Sequence, residues 1–191
     1  FKINDKLKAG FNAAPTYTLS NSPNTDGIFW SSGLINNSLL SWPIYPYQNE
    51  DGSYPMGYFD PTIQTFPLPN YYRTALEITN ETKALRLLTN AFLQYEPIPG
   101  LVLKSSINFD FFDEKYTQFN PSTVSAGFAT TLPTDASARF RTRRYNTWLN
   151  ENTISYKKSF GDHNFDVIVG QSMQKYAQDQ FQIMVTRIPD D

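Results

Sequence analysis

Residues 7–20 alternate between two kinds of side chain. Leu7, Ala9, Phe11, Ala13, Pro15, Tyr17 and Leu19 share one parity; Lys8, Gly10, Asn12, Ala14, Thr16, Thr18 and Ser20 share the other. Successive strand side chains point to opposite faces, so period two means one apolar and one polar surface. The run is longer than the ordinary strand of about 5–6 residues. It also exceeds the roughly 9–11 residues a tilted strand needs to cross a bilayer. A long strand of a soluble antiparallel sandwich has the same pattern, so this run alone leaves both architectures open.

Three later stretches repeat it. Leu101, Leu103, Ser105, Ile107, Phe109 and Phe111 oppose Lys104, Ser106, Asn108 and Asp110. Trp148, Ile154, Tyr156 and Phe160 oppose Glu151, Thr153, Ser155 and Lys157, with Asn150 and Asn152 interrupting the apolar side, where a bulge would fit. Phe165, Val167, Val169 and Met173 oppose Asp166, Gly170 and Ser172. From about Tyr176 the tail reads as another loop, with an incomplete strand at 181–185. Residues 82–95 are ambiguous. Ala84, Leu87, Leu88, Ala91, Phe92 and Tyr95 fit a helical stripe, which Asn80 would cap and Pro97 would stop. Leu85, Leu87, Ala91, Leu93 and Tyr95 fit a strand face nearly as well. The tight Glu96–Gly100 connection to a clear strand tips this segment to strand.

Between the strands the connections alternate in kind. Asn4-Asp5-Lys6, Glu96–Gly100 and Gly161–Asn164 are short. Residues 20–78 and 113–140 are long, polar and irregular. The first holds Pro43, Pro46, Pro55, Pro61, Pro67 and Pro69, with turn signals at Asp26-Gly27 and Asp51-Gly52. Outer-membrane barrels put short turns on the periplasmic side and long loops outside. A soluble sandwich has no reason to keep that order. The expectation is therefore a mostly β chain of antiparallel up-and-down strands: a partial transmembrane β-barrel with long external loops at 20–78 and 113–140, and no plug domain.

Composition narrows the function. The 16 basic and 18 acidic residues leave a net charge of −2, against the basic excess of a nucleic-acid binder. The chain has no cysteine, which removes disulfides, thiolate metal sites and cysteine nucleophiles. Aromatics make up 16% of the chain, a share that suits the aromatic girdles of a barrel. No apolar run reaches the length of a membrane helix. The first residues lack the features of a signal peptide, and both ends read as cuts through a longer protein.

Few residues point to chemistry. His163, the single histidine, has no partner at catalytic or metal-ligand spacing and reads as a turn residue. Asp110, Asp113 and Glu114 have the residue types of a glycosidase pair, yet they fall where a strand meets a loop. No P-loop, dinucleotide-binding or calcium-loop pattern occurs. The expectation is no enzyme, no metal and no cofactor. Arg139, Arg141 and Arg143 share a strand face, with Arg144 adjacent. They form either a basic ladder for an acidic substrate or lipid phosphates, or a solvated strand end. Trp30, Trp42, Tyr45, Tyr47, Tyr54 and Tyr58 crowd the first loop. Their rings suit contact with sugars or with a partner surface, or packing of the loop on itself. The candidate contact residues are Trp30, Trp42, Tyr45, Tyr47, Tyr58, Arg141 and Arg143.

Four segments carry a family resemblance. Residues 1–10 (FKINDKLKAG) resemble a strand–turn–strand of SusC/RagA-type TonB-dependent outer-membrane transporters. Residues 95–101 (YEPIPGL), followed by 102–106 (VLKSS), are similar to that family's strand–turn motif. Residues 150–156 (NENTISY) with 160–164 (FGDHN) resemble a third pairing, and 49–54 (NEDGSY) a loop segment. The segments span most of the chain in the family's order. The resemblance implies an outer-membrane protein importing glycans or peptides through a plugged barrel of about 22 strands. It implies a SusD-like surface lipoprotein, TonB acting through parts of the protein outside this chain, outer-membrane lipid around the wall, and oligosaccharide or peptide cargo. The competing readings are a secreted soluble carbohydrate-binding β module and an adhesin-like structural β protein.

Overall fold

The computed structural model describes residues 1–23, 25, 33–55, 57–58, 62, 68–124 and 135–189. Five long strands make one sheet: β1 (Leu7–Asn21), β4 (Thr79–Ile98), β5 (Leu101–Asn120), β6 (Ser137–Phe160) and β7 (His163–Thr186). Their order is β1-β4-β5-β6-β7, so each pairs with its neighbour in the chain among the long strands. The sheet is antiparallel, and it does not close into a barrel. Two short helices, α1 (Leu34–Leu40) and α2 (Tyr71–Glu77), and a small hairpin-like pair, β2 (Gly57–Tyr58) with β3 (Leu68–Pro69), lie between β1 and β4.

Residues 82–95 are strand, inside β4. Neighbours on both sides supply a full hydrogen-bond ladder, which outweighs the local helical stripe. Two boundaries read from the pattern are corrected. β5 continues to Asn120 and β6 starts at Ser137, so the second long connection is shorter than 113–140. β7 runs to Thr186, so the tail from Tyr176 is strand rather than loop. In both places the apolar alternation fades before the backbone pairing does. His163 is the first residue of β7 rather than a turn residue.

The chain divides into two compact units. Unit 1 comprises residues 1–18, 84–114 and 143–180; unit 2 comprises 19–83, 115–142 and 181–191. Unit 1 holds all three short turns. At the first, the Lys6 amide donates to the Asn4 side chain at 2.8 Å. At the second, the Gly100 amide donates to the Glu96 carboxylate at 3.1 Å, and Gly100 takes a φ of 86° that a side chain would strain. These two turns are tied together: the Glu96 amide donates to the Lys6 carbonyl at 2.8 Å, and Lys6 Nζ to the Pro97 carbonyl at 3.1 Å.

Unit 2 holds both long connections. The core of the first is built around Asn70, which is 2% exposed. Its Oδ1 accepts from the amides of Tyr72 and Arg73, capping α2. Its Nδ2 donates to the carbonyls of Tyr47 and Pro55, both at 2.9 Å. One side chain thus joins a helix start to two separate points of a proline-rich loop.

Candidate functional site

The two faces of the sheet in unit 1 differ as the alternation predicts. One face is stitched by polar side chains across strands. Arg86 makes a two-pronged contact with Asp110 at 3.0 and 2.8 Å. Asn90 donates to Asn108 at 2.6 Å, and Asn108 to Glu151 at 3.4 Å. Arg143 reaches Glu114 at 3.1 Å, and Lys157 reaches Asp166 at 2.8 Å. The opposite face carries Phe11, Tyr17, Leu93, Tyr95, Ile107, Phe109, Ile154, Val167 and Met173, all exposed. A groove of about 380 Å³ on the polar face is lined by residues including Asn12, Asn90, Asn108, Asp110 and Gln174.

The carboxylates that resembled a glycosidase pair are each held by an arginine. Asp110 faces Arg86, Glu114 faces Arg143 and Asp113 faces Arg144 at 2.9 Å. By strand alternation Asp113 lies on the opposite face from the other two.

The candidate arginines fall in different units. In unit 1, Arg143 lies against Phe112 with 5.5 Å to the ring centroid, beside its bond to Glu114. Phe112 stacks on Tyr145 at 4.7 Å, and Tyr145 approaches Tyr176 at 6.2 Å. In unit 2, Arg141 lies over Tyr116 at 4.9 Å, and Arg139 donates weakly to the Met184 sulfur at 3.8 Å. Sequence reading missed Phe112, Tyr145 and Tyr176. Each continues the polar parity of its strand, and an aromatic at a polar-face position is the signal that would have found them.

The loop aromatics of unit 2 pack largely on one another. Tyr45 and Tyr58 stack with centroids 4.6 Å apart and an 8° interplanar angle. Tyr47 and Tyr54 each lean on Tyr72, at 5.3 and 5.1 Å. Burial pushes the Tyr58 phenol pKa upward, with the nearby Tyr71 adding to the shift. Tyr54 is pushed the same way by desolvation and then by Tyr72. Tyr47 remains 51% exposed and Trp42 41%. Trp30 lies outside the described residues. Tyr72 and Asn70 were not among the residues singled out by sequence. An Asn directly before an apolar helical turn was the readable cue for the cap.

Below this cluster, Arg73 donates to the Tyr54 carbonyl at 2.7 Å and pairs with Glu77 at 2.6 Å. Glu77 also accepts from the Thr123 hydroxyl, which links the first long connection to the second. The 49–54 segment is a tight turn: the Asn49 amide donates to the Ser53 carbonyl at 2.8 Å and Gly52 takes a φ of 83°. The Ser53 hydroxyl and amide both donate to Asp51 and hold its carboxyl below the usual carboxylate range.

No protein-family model matches the chain. TonB-dependent receptor P26 of Formosa agariphila is 30% identical over 179 residues, covering 92% of this chain and 17% of that protein. The chain is thus similar to a segment of a TonB-dependent receptor. A second Formosa agariphila receptor of this family, P3, is 28% identical over 176 residues, 91% of this chain and 17% of that protein. Among solved structures, the RagAB peptide importer in its "open-open" state superposes with a TM-score of 0.73 at 21% identity. That match covers 97% of this chain and 20% of the solved one, and it establishes the fold. The chain thus spans about a sixth of the receptors it matches. The SusC/RagA resemblance read from the sequence agrees with these relatives.

Proposed function

We propose that this segment forms five wall strands and two external connections of an outer-membrane transporter that imports oligosaccharide or peptide cargo. The observation that carries the reading is the two-faced sheet of unit 1. A polar, cross-linked face suits a lumen, and an exposed face of large apolar side chains suits lipid. The short turns then lie on the periplasmic side and the residues around 22–78 and 121–136 outside the cell. A SusD-like surface lipoprotein is the proposed partner over those connections, and TonB acts through parts of the receptor beyond this segment. The neighbouring solved structure is named a peptide importer, which favours no choice between glycan and peptide here.

Within the external connections, Trp42 and Tyr47 have the exposure to meet cargo or partner. Tyr45 and Tyr58 serve mainly to stiffen the loop, because their faces cover each other. Arg141 and Arg143 are proposed to line the polar side of β6 near the mouth. A soluble carbohydrate-binding module would instead need a second layer over the apolar face. The described residues of unit 1 form a single layer of strands.

The experiment compares Phe109→Lys with Asn108→Lys in the full-length receptor. A lysine at a mid-membrane lipid-facing position costs roughly 2–4 kcal/mol. Phe109→Lys should sharply lower the amount of heat-resistant barrel in outer membranes, while Asn108→Lys leaves most of it. Equal assembly of the two, or a worse defect for Asn108→Lys, refutes the face assignment.

A further inference from the structure

In unit 2 the ends of three strands carry positive charge and no negative charge. Residues 115–120 of β5, 137–142 of β6 and 181–186 of β7 include Lys115, Arg139 and Arg141, and no Asp or Glu. Strand parity puts both arginines on the polar face and Lys115 on the other. Unit 1 differs, since Arg86, Arg143 and Lys157 each face a carboxylate there.

Arg139 is the cation with donors to spare. Its Nη2 makes one weak bond, to the Met184 sulfur at 3.8 Å, and its Nε is buried without an acceptor. No carboxylate pairs with it among the described residues. A half-buried guanidinium in this state has lost water and gained no anion, a cost that an anionic ligand would remove. Arg141, lying over the Tyr116 ring at 4.9 Å, adds a second positive charge two residues along.

Beside Arg139 the face is neutral and rich in amides. The Tyr116 hydroxyl donates to Gln118 Oε1 at 3.2 Å, Gln118 Nε2 to Asn120 Oδ1 at 3.3 Å, and Asn120 Nδ2 to Ser137 Oγ at 3.3 Å. The Asn120–Ser137 and Tyr116–Arg141 contacts fix a register in which Gln118 lies directly opposite Arg139. Each amide keeps a second N–H and a spare carbonyl lone pair. Neighbouring sugar hydroxyls, each both donor and acceptor, match such a row. A peptide main chain, with single donors and acceptors spaced along a strand, matches it less well.

We propose that Arg139 and the amide row beside it form a subsite for an acidic oligosaccharide. The guanidinium takes a sugar-borne oxyanion, a carboxylate or a sulfate ester, in two-pronged fashion. Gln118, Asn120 and Ser137 take the adjacent hydroxyls. Arg141 raises the local potential for an approaching anion. This rests on the reading of the polar face as the cargo-facing side.

The test titrates the full-length receptor in detergent with a short oligogalacturonide, a sulfated dextran oligomer, the unsulfated dextran oligomer and oligoglutamate. One or both acidic sugars should bind about tenfold or more tightly than neutral dextran, the stronger of the two naming the oxyanion. Arg139→Gln should remove most of that advantage and leave neutral dextran as before. Arg139→Lys keeps the charge but not the fork, so it should retain part of the advantage; it carries the test if Arg139→Gln fails to assemble. Lys115→Gln removes one charge from the opposite face and should change nothing. Equal binding of neutral and acidic sugars overturns the proposal, as does the full advantage persisting in both Arg139 variants. So does oligoglutamate binding as tightly as the acidic sugars. A loss in Lys115→Gln with none in Arg139→Gln means that the other face meets cargo, and the underlying reading fails.

Discussion

Gly100, in the turn between β4 and β5, sits directly against the main chain of Lys157 on the adjacent strand β6. The Lys157 amide donates to the Gly100 carbonyl at 2.9 Å, and a Cβ built on Gly100 would overlap the Lys157 carbonyl oxygen. The obstacle is backbone, so no rotamer change relieves it. With its φ of 86°, Gly100 is fixed both by conformation and by space.

Gly161, in the next short turn, separates these two effects. Its φ is 56°, yet nothing lies within 4 Å of a Cβ placed there. Gly161→Ala should cost only the left-handed strain, about 1–2 kcal/mol. Gly100→Ala should cost clearly more, since the β5–β6 pairing at Lys157 must also shift. Denaturant titration of the full-length receptor in detergent should rank Gly100→Ala below Gly161→Ala. Equal midpoints would show that the close approach is unimportant.

Gly10 presents a softer version of the same constraint. A Cβ there would collide with the Phe92 ring, which also lies 5.1 Å from Lys104 Nζ. The ring covers the bare glycine across the strand pair, as aromatics do beside strand glycines. Gly10→Ala should push the ring aside and destabilise the hairpin. In a Phe92→Ala background the same change should be nearly neutral or helpful. The coupling, expected near 0.5–3 kcal/mol for residues in contact, is read from a double-mutant cycle of unfolding midpoints. Simple additivity would rule it out.

Asn70 offers a test of the external loop alone. Asn70→Ala removes the cap of α2, worth about 0.5–2 kcal/mol, and strands the Tyr47 and Pro55 carbonyls. Asn70→Asp keeps the acceptor for Tyr72 and Arg73 but removes both donors. Both variants should speed cleavage within residues 45–78 by protease added to intact cells, with heat-resistant barrel unchanged. If Asn70→Asp behaves as wild type, the two donated bonds hold nothing together.

The 49–54 turn should respond to acid. The Asp51 carboxyl is held below its ordinary value, first by the Ser53 hydroxyl and then by the Ser53 amide. A lowered folded-state value means the ionised form stabilises the turn. That contribution is complete above the unfolded value of about 3.9 and is lost as pH falls through the lowered one. Hydrogen exchange at the Ser53 amide, corrected for its intrinsic rate, should accelerate as pH falls below about 4. In Asp51→Asn the exchange should show no such pH step.

Where the sequence could be read follows from what each surface touches. Phe109 and Ile107 announce β5 because an apolar face is needed there. Beyond Phe111, Asp113 and Lys115 occupy the same parity, and the alternation stops although the backbone pairs on to Asn120. The ladder needs no particular side chains, so its continuation was invisible. The same holds for β7 past Tyr176. For β4, Ala84, Leu88 and Phe92 supplied a false helical stripe by lying on the polar face among Arg86 and Asn90. The loop aromatics were visible as a cluster, but their pairing was not. Which tyrosines cover each other depends on Asn70 joining distant segments, a non-local fact. The carboxamides at Asn150 and Asn152 were visible as an interruption. Their link to Gln171, whose Oε1 accepts from Asn152 Nδ2 at 3.2 Å, required the register of β6 with β7.

The partnered charges of the polar face bear on how a solute would move along it. Arg86, Arg143 and Lys157 each carry an acid partner from a neighbouring strand. A row of lone cations would seize an anionic polymer and lengthen its dwell time at every step. Neutralised pairs present short-range dipoles instead, whose grip fades within a few ångströms. Conduction needs entry to be favourable and departure to be easy. As the lumen wall proposed above, this face would give a shallow, low-friction track, on which a bulky chain is slowed by its shape more than by its charge.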